Sequence, residues 1–479
     1  MRIATVDQST GALYVSGGTG AVDFPTTGGQ AHAADLDAFV SKFAPTGELL
    51  WSRLYGGAGY DSAYEVSLSD DGTQLLVCGR AGPSFPTTSG VYQPTFAGAG
   101  TAPESAYGPE DGFAMKLNTA TGNVIWATYF GDAANDINRS CDLDAAGNVY
   151  LGWHCRDTCT RNGTAGAFRV IPPGNGDSGV AKLSADGTTL IWFTYISGAT
   201  GNETDNSPQV HVERSTGRVF FKTSTTSTDF PLNAAGLQTL VNPIQSTYSG
   251  GSDLGMAVVS ADGSALEFSS YLGGPQYDNN ELDGIAEDAS GNMVICIATK
   301  SDGLPGTTGH FQTTNTAAPA GQNAYYATIK VSDPSSVLRA TYLGGTGGAG
   351  QNLCHVDAAT GRIFAVNNVG SGYPVTSTAY QPSLLGTGAA GLTLLSGDYD
   401  LLRWSSYFGG TTGATSGRAA GWWVSGNVLF AGGPGAAATL PMRNSFQSTK
   451  KGSDGWVAGF MATAPPTWTP TATPNPTAT

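Results

Sequence analysis

Hydrophobic and polar positions repeat along this chain, and residues 111–132, DGFAMKLNTATGNVIWATYFGD, show the unit most plainly. Phe113, Met115 and Leu117 alternate with Ala114 and Lys116, Thr121-Gly122-Asn123 supplies a turn, and Val124 to Phe130 is a second β-branched and aromatic run closed by Gly131. Period-two alternation on both sides of a glycine turn predicts a β-hairpin. The chain makes this hairpin about seven times.

The closing glycine recurs as Gly56, Gly131, (Ser197), Gly273, Gly344 and Gly409, at intervals of 75, 66, 76, 71 and 65 residues. Two residues earlier stands Leu54, Tyr129, Tyr195, Tyr271, Tyr342 or Tyr407. After each glycine come a loop and an apolar run, such as AYEVSL (63–68) or NLCHVD (352–357), then a Gly/Asn turn and a second run, such as QLLVCG (74–79) or RIFAVN (362–367). A long polar stretch follows. It carries an apolar-Pro pair (Phe24-Pro25, Phe85-Pro86, Ile171-Pro172, Phe230-Pro231, Leu304-Pro305, Tyr373-Pro374, Leu440-Pro441) and often an aromatic-Gln pair (Tyr92-Gln93, Phe311-Gln312, Tyr380-Gln381, Phe446-Gln447). Agreement at several positions with one period near 70 residues marks a repeat architecture.

Each unit holds four strands, A to D, joined by short turns and one longer B–C loop. A lone four-stranded sheet cannot bury both faces, whereas copies packed face to face around an axis can. The expected fold is therefore all-β: a seven-bladed β-propeller of four-stranded antiparallel blades over residues 1–462. The strand D aromatics Trp51, Trp126, Trp192, Phe268 and Trp404 are expected to fill the space between sheets. The seventh unit stops at DGWVAGFMA (454–462), so its fourth strand is missing and the last blade is incomplete. Residues 463–479, TAPPTWTPTATPNPTAT, are read as a disordered, extended Thr/Pro linker that leads to further modules. Met1-Arg2 runs straight into IATVD, which already reads as a strand, so a truncated start is expected.

Composition narrows the function. Net charge is −15 with 22 Lys+Arg, and no basic cluster appears along the sequence, which argues against nucleic acid or anionic lipid as a partner. No apolar run reaches the length of a membrane span. Of the six cysteines, Cys78, Cys141, Cys296 and Cys354 sit singly in strand-like runs and read as small buried hydrophobes, while Cys155 and Cys159 in the loop WHCRDTCTRNG are a disulfide candidate. His154 beside that pair is too little for a metal site.

The ordered set GG-x3-D, FP, YQP, DAFV-KL, TG-x-LLW and TYLGG resembles the SBBP family of bacterial seven-bladed β-propeller repeats, over about residues 1–462. Unit 3 lacks the FP and YQP forms, and unit 5 lacks the strand D tryptophan. The resemblance implies a secreted or cell-surface bacterial protein. It implies no catalytic residues.

Several motifs bear on chemistry. Asp61, Asp136 and Asp278 each lie five residues after the aligned glycine, in D–A loops that a propeller gathers on one face. A ring of such carboxylates is a candidate site for a polar ligand or Ca2+, against the reading that each accepts N–H bonds within its own loop. TATGNVIW (119–126) looks like the tryptophan-docking turn of quinoprotein propellers, and SDDGTQL (69–75) and SADGTTLIW (184–192) look like the Asp-box of sialidases. Neither comes with the cofactor residues or convergent arginines such enzymes need. His211 and His355 fall in strand A runs, where an adjacent carboxylate would make a general base or simply a packed wall. Nucleophile-elbow, P-loop, zincin and EF-hand motifs are missing from the sequence. The expectation is a non-enzymatic extracellular or cell-surface module that binds protein or glycan and needs no cofactor. The alternative is a polysaccharide lyase or glycoside hydrolase with its site at the channel mouth.

Overall fold

A computed structural model describes residues 1–28, 31–33, 35–98, 108–156, 158–203, 208–232, 243–279, 284–332, 335–435, 439–441 and 455–461. Phe446-Gln447, Asp454 and the 463–479 tail fall outside the described residues. Blade 1 holds β1 (Ile3–Val6), β2 (Leu13–Thr19), β3 (Asp37–Phe43) and β4 (Leu49–Tyr55). Blade 2 holds β5 (Ser62–Leu68), β6 (Gln74–Ala81), β7 (Asp111–Asn118) and β8 (Val124–Phe130), and blade 3 holds β9 (Asp136–Leu143), β10 (Val149–Cys155), β11 (Ser178–Leu183) and β12 (Leu190–Tyr195). Blade 4 holds β13 (Gln209–Val212), β14 (Val219–Thr225), β15 (Asp253–Val259) and β16 (Leu266–Leu272). In blade 5 the innermost strand comes as two pieces, β17 (Asp278–Asn279) and β18 (Ile285–Glu287), followed by β19 (Met293–Thr299), β20 (Asn323–Lys330) and β21 (Ser336–Leu343). Blade 6 holds β22 (Ala349–Asp357), β23 (Arg362–Val369), β24 (Ala389–Leu395) and β25 (Leu402–Phe408). Blade 7 has three strands, β26 (Ala419–Trp423), β27 (Val428–Gly433) and β28 (Trp456–Met461).

Each sheet is an antiparallel meander in chain order. The innermost strands follow one another around the ring: β1 packs on β5, β5 on β9, β9 on β13, β13 on β18, and β22 on β26, and β26 returns to β1. This is the seven-bladed propeller with four-stranded blades and a three-stranded last sheet. Among the described residues no helix is long and apolar enough to cross a membrane.

The repeated residues hold blade to blade. Trp51, Trp126 and Trp192 are nearly buried, and each donates its indole N–H to the C–D turn of the next blade, at Thr119 O, Ala185 O and Ala261 O, 3.0–3.1 Å away. Trp126 lies against Gly187, whose φ is +72° and where an added Cβ would fall 2.7 Å from the indole, leaving no room for a side chain. The strand D tyrosines anchor the apolar-Pro pairs, because the hydroxyls of Tyr129, Tyr271, Tyr342 and Tyr407 accept the N–H of Phe85, Phe230, Leu304 and Tyr373. The aromatic-Gln motif has an equally local job. Gln93, Gln312 and Gln381 accept the N–H of the aligned Gly131, Gly344 and Gly409, and Gln245 does the same for Gly273.

The cysteines depart from expectation. Cys296 and Cys354, read from sequence as separate buried hydrophobes, are joined by a disulfide with Cα atoms 6.5 Å apart. The propeller brings β19 against β22, which a single-strand reading of each cysteine does not foresee. Cys155 and Cys159 are also joined, Cα–Cα 5.8 Å.

Candidate functional site: an arginine and tyrosine cluster at the D–A end of the inner strands

The D–A carboxylates are spent on their own loops and on the end of the adjoining strand B. Asp61 accepts the N–H of Gly57 at 2.7 Å and of Gly82 at 3.0 Å. Asp136 accepts the N–H of Asp132, 2.5 Å away, and Asp278 that of Gly274, 2.7 Å away, with Ser301 and Thr299 hydroxyls added. Glu203 serves blade 4 in the same way through Gly198. All four are buried.

Each of these acids faces a second one at the start of strand C in the preceding blade. The pairs are Asp37 with Asp61, Asp111 with Asp136, Asp177 with Glu203, and Asp253 with Asp278. The aligned glycine sits between them: a Cβ on Gly131 would lie 2.7 Å from Asp111 Oδ1 and 2.9 Å from Asp136 Oδ2. Burial is the main reason the carboxyls are pushed up, to about 7 at Asp61, Asp111 and Asp278, about 8 at Glu203 and about 6 at Asp253. The next two junctions drop the pair, with Asn323 opposite Ala349 and Ala389 opposite Thr415.

A pH prediction follows. A carboxyl whose folded pKa is raised holds its proton in the native state over a range where the unfolded chain has lost it. Stability is then fully present below the unfolded value of about 4 and falls as pH rises through the folded values. Asp142, held down at about 2, opposes this only in strong acid, and the Met1 amino group and His355, brought down by burial to about 5 and about 4, oppose it at higher pH but are outnumbered by the raised carboxyls. Thermal unfolding at constant ionic strength should therefore give a lower Tm at about pH 8 than at about pH 5. A Tm that rises over that interval would contradict the paired, protonated carboxyls.

His211 and His355 lie apart from the acid pairs. His211 Nδ1 stands 3.3 Å from Asp142, which also receives Ser67, Val212 and Arg214 and so ties blades 2, 3 and 4 together at the far end of the inner strands. Although burial raises Asp142, the His211 hydrogen bond and charge and Arg214 outweigh it. Burial drives the His355 imidazole down to about 4 despite Asp357. Asp132, Asp136 and Cys155 have the spacing of a metal site. However, Cys155 is in a disulfide and Asp132 already accepts the N–H groups of Ala134, Thr160 and Arg161, so the donor set suits backbone better than a cation.

The feature that sequence reading missed is basic. Tyr64 and Arg139 are each the extra residue of a β-bulge in an innermost strand, between Ala63 and Glu65 of β5 and between Asn138 and Ser140 of β9. A bulge re-aims its side chain, and here two neighbouring blades carry one at the same place. Arg2, just before β1, occupies the matching position of blade 1. The Arg2 and Arg139 guanidiniums lie 4.3 and 4.4 Å from the Tyr64 ring centroid, and Arg80 lies 5.5 Å from it and 4.3 Å from Tyr60. Such distances give cation–π attraction. Glu110, fully buried, bridges Arg80 and Arg156 at 2.9 Å each. Among the described residues the cluster thus gathers four arginines, three about the Tyr64 ring and two on the Glu110 carboxylate, Arg80 belonging to both sets, in a chain of net charge −15.

The electrostatics are mutual. Burial pushes the Tyr64 phenol up, but Arg2, Arg139 and Arg80 outweigh it and hold the phenol below its usual value. Burial, opposed by Tyr64 and reinforced by Arg2, Arg80 and Arg156, brings Arg139 down to about 10. The arrangement can hold an anionic group beside an aromatic ring. No stretch of sequence announces it, since residues 2, 64, 80, 139 and 156 come together only through the ring and the bulges.

No family model matches the chain, and no curated protein matches it. Solved structures are similar at the level of fold. The hydrazine synthase of Kuenenia stuttgartiensis is 10% identical with a TM-score of 0.44, covering 96% of this chain and 95% of that one. The β-propeller domain of the trilobed protease from Pyrococcus furiosus, described as an open velcro topology, is 7% identical with a TM-score of 0.39, covering 97% and 95%. The periplasmic gluconolactonase of Pseudomonas aeruginosa is 11% identical with a TM-score of 0.41, covering 88% and 94%. These likenesses concern the propeller fold and bring no activity with them.

Proposed function

We propose that this chain is a non-enzymatic binding module of the bacterial cell surface or exterior, and that its ligand is an acidic polysaccharide held at the arginine and tyrosine cluster. The single observation that carries this is the convergence of the Arg2, Arg80 and Arg139 guanidiniums on the Tyr64 ring. Guanidiniums gathered on one ring suit a sugar bearing a carboxylate or sulfate, which Arg meets with paired N–H donors. The disulfides support an oxidising compartment, and the repeat pattern resembles SBBP proteins of the bacterial surface. No nucleic acid or membrane partner is proposed, given the overall acidity.

Calorimetry with uronate-rich, sulfated and neutral polysaccharides tests this. Uronate-rich or sulfated chains should bind, more weakly as salt rises, and Arg139→Gln should weaken binding by about tenfold or more, the loss expected for a charge-assisted bond. Equal binding of neutral chains, or an acidic protein binding where no glycan does, would sink the reading. Tyr64, held below its usual pKa, favours a lyase at the same mouth as the second reading. Appearance of unsaturated uronate product on incubation would establish it.

A further inference from the structure

The Cys296–Cys354 disulfide crosses a blade junction, from β19 of blade 5 to β22 of blade 6. Blades 2 and 3 carry cysteines at the same two places. Cys78 lies on β6 and Cys141 on β9, and β6 packs on β9 as β19 packs on β22. The correspondence is one of register. QLLVCG (74–79) aligns with NMVICI (292–297), and RSCDLD (139–144) with NLCHVD (352–357), so Cys78 matches Cys296 and Cys141 matches Cys354. Cys141 stands opposite Leu151 and Cys354 opposite Ala365, which are equivalent positions of their strands. Cys78 and Cys141 are buried in one apolar cluster. Other junctions have Ser16 and Val66, Gly152 and Val210, Lys222 and Ile285, Val366 and Gly421, and Ala431 and Ala4 at these places, so cysteine at both is a property of two junctions alone.

We infer that Cys78 and Cys141 form a second interblade disulfide, equivalent to Cys296–Cys354, when the protein matures in an oxidising compartment. Bond formation takes two thiols to one disulfide, releasing two electrons and two protons. A small-molecule or protein disulfide is the oxidant: one cysteine thiolate attacks it to give a mixed disulfide, the second displaces the oxidant's remaining thiol, and the oxidant leaves as two thiols. Both sulfurs are buried in the finished ring, so the exchange takes place before blades 2 and 3 close on each other. The two bonds would pin the ring at two separate junctions. This reading does not depend on the ligand.

The test uses the full chain folded in a glutathione redox buffer, then denatured without reductant, alkylated, digested and analysed by mass spectrometry. The expected result is a cross-linked peptide pair containing residues 78 and 141, no alkylated cysteine, and an intact mass lower by two hydrogens than that of a chain with only the other two bonds. In a Cys78→Ala variant, Cys141 should become the sole alkylated cysteine, and Tm should fall. Should that variant fail to fold, the wild-type peptide map still decides. Alkylation of both Cys78 and Cys141 in the denatured, unreduced wild type would overturn the inference.

Discussion

Glu110→Gln should be among the most damaging single substitutions in this chain, costing about 3–5 kcal/mol of stability. Glu110 is fully buried and accepts Arg80, itself 1% exposed, and Arg156, both at 2.9 Å. Bringing these charges out of water is costly, and the shared carboxylate is what compensates. An amide is nearly the same shape but carries no charge, so two guanidiniums would be left to repel each other beside Arg139. The cost is one of stranding charge, not of losing contact area. A double-mutant cycle separates the two: if charge is the cause, Glu110→Gln with Arg80→Met should cost less than the sum of the single changes. Chemical denaturation of the four proteins reads this directly, and additive costs would contradict the charge argument.

The second large effect concerns Cys296→Ala. Cys296 and Cys354 are 58 residues apart in sequence and close a loop between adjacent blades. Constraining the unfolded chain over that length contributes about 4 kcal/mol in the chain-entropy account. The variant, or the wild type under dithiothreitol, should therefore unfold at clearly lower denaturant, with the joined strands β19 and β22 losing amide protection first. An unchanged midpoint after verified reduction would show that apolar packing alone holds this junction.

Much of the architecture was readable from the periodic pattern, since each repeated residue does a local job that recurs in several blades. Tyr129 holds Phe85, Gln93 holds Gly131, and Trp126 reaches Ala185, all within one unit or its neighbour. Local necessity leaves a periodic trace. The D–A acids were also legible as a repeated set, but only the structure pairs each with the strand C acid of the preceding blade. The arginine cluster left no such trace. Arg2, Arg80, Arg139 and Arg156 are single residues in different units, and two one-residue bulges decide where the Tyr64 and Arg139 side chains point. Bulges follow from the mismatch of two paired strands, which one strand's alternation does not reveal. The Cys296–Cys354 bond was hidden for a related reason. Its partners belong to different units, and their proximity emerges only when blades are placed side by side.

The most direct test is a crystal structure of the protein with an oligosaccharide of uronic acids. A carboxylate within hydrogen-bond reach of Arg2 or Arg139, with its sugar ring near Tyr64, is the predicted result. An oligosaccharide seated on another face, with the guanidiniums still gathered around Tyr64, would contradict the assignment of this cluster as the ligand site.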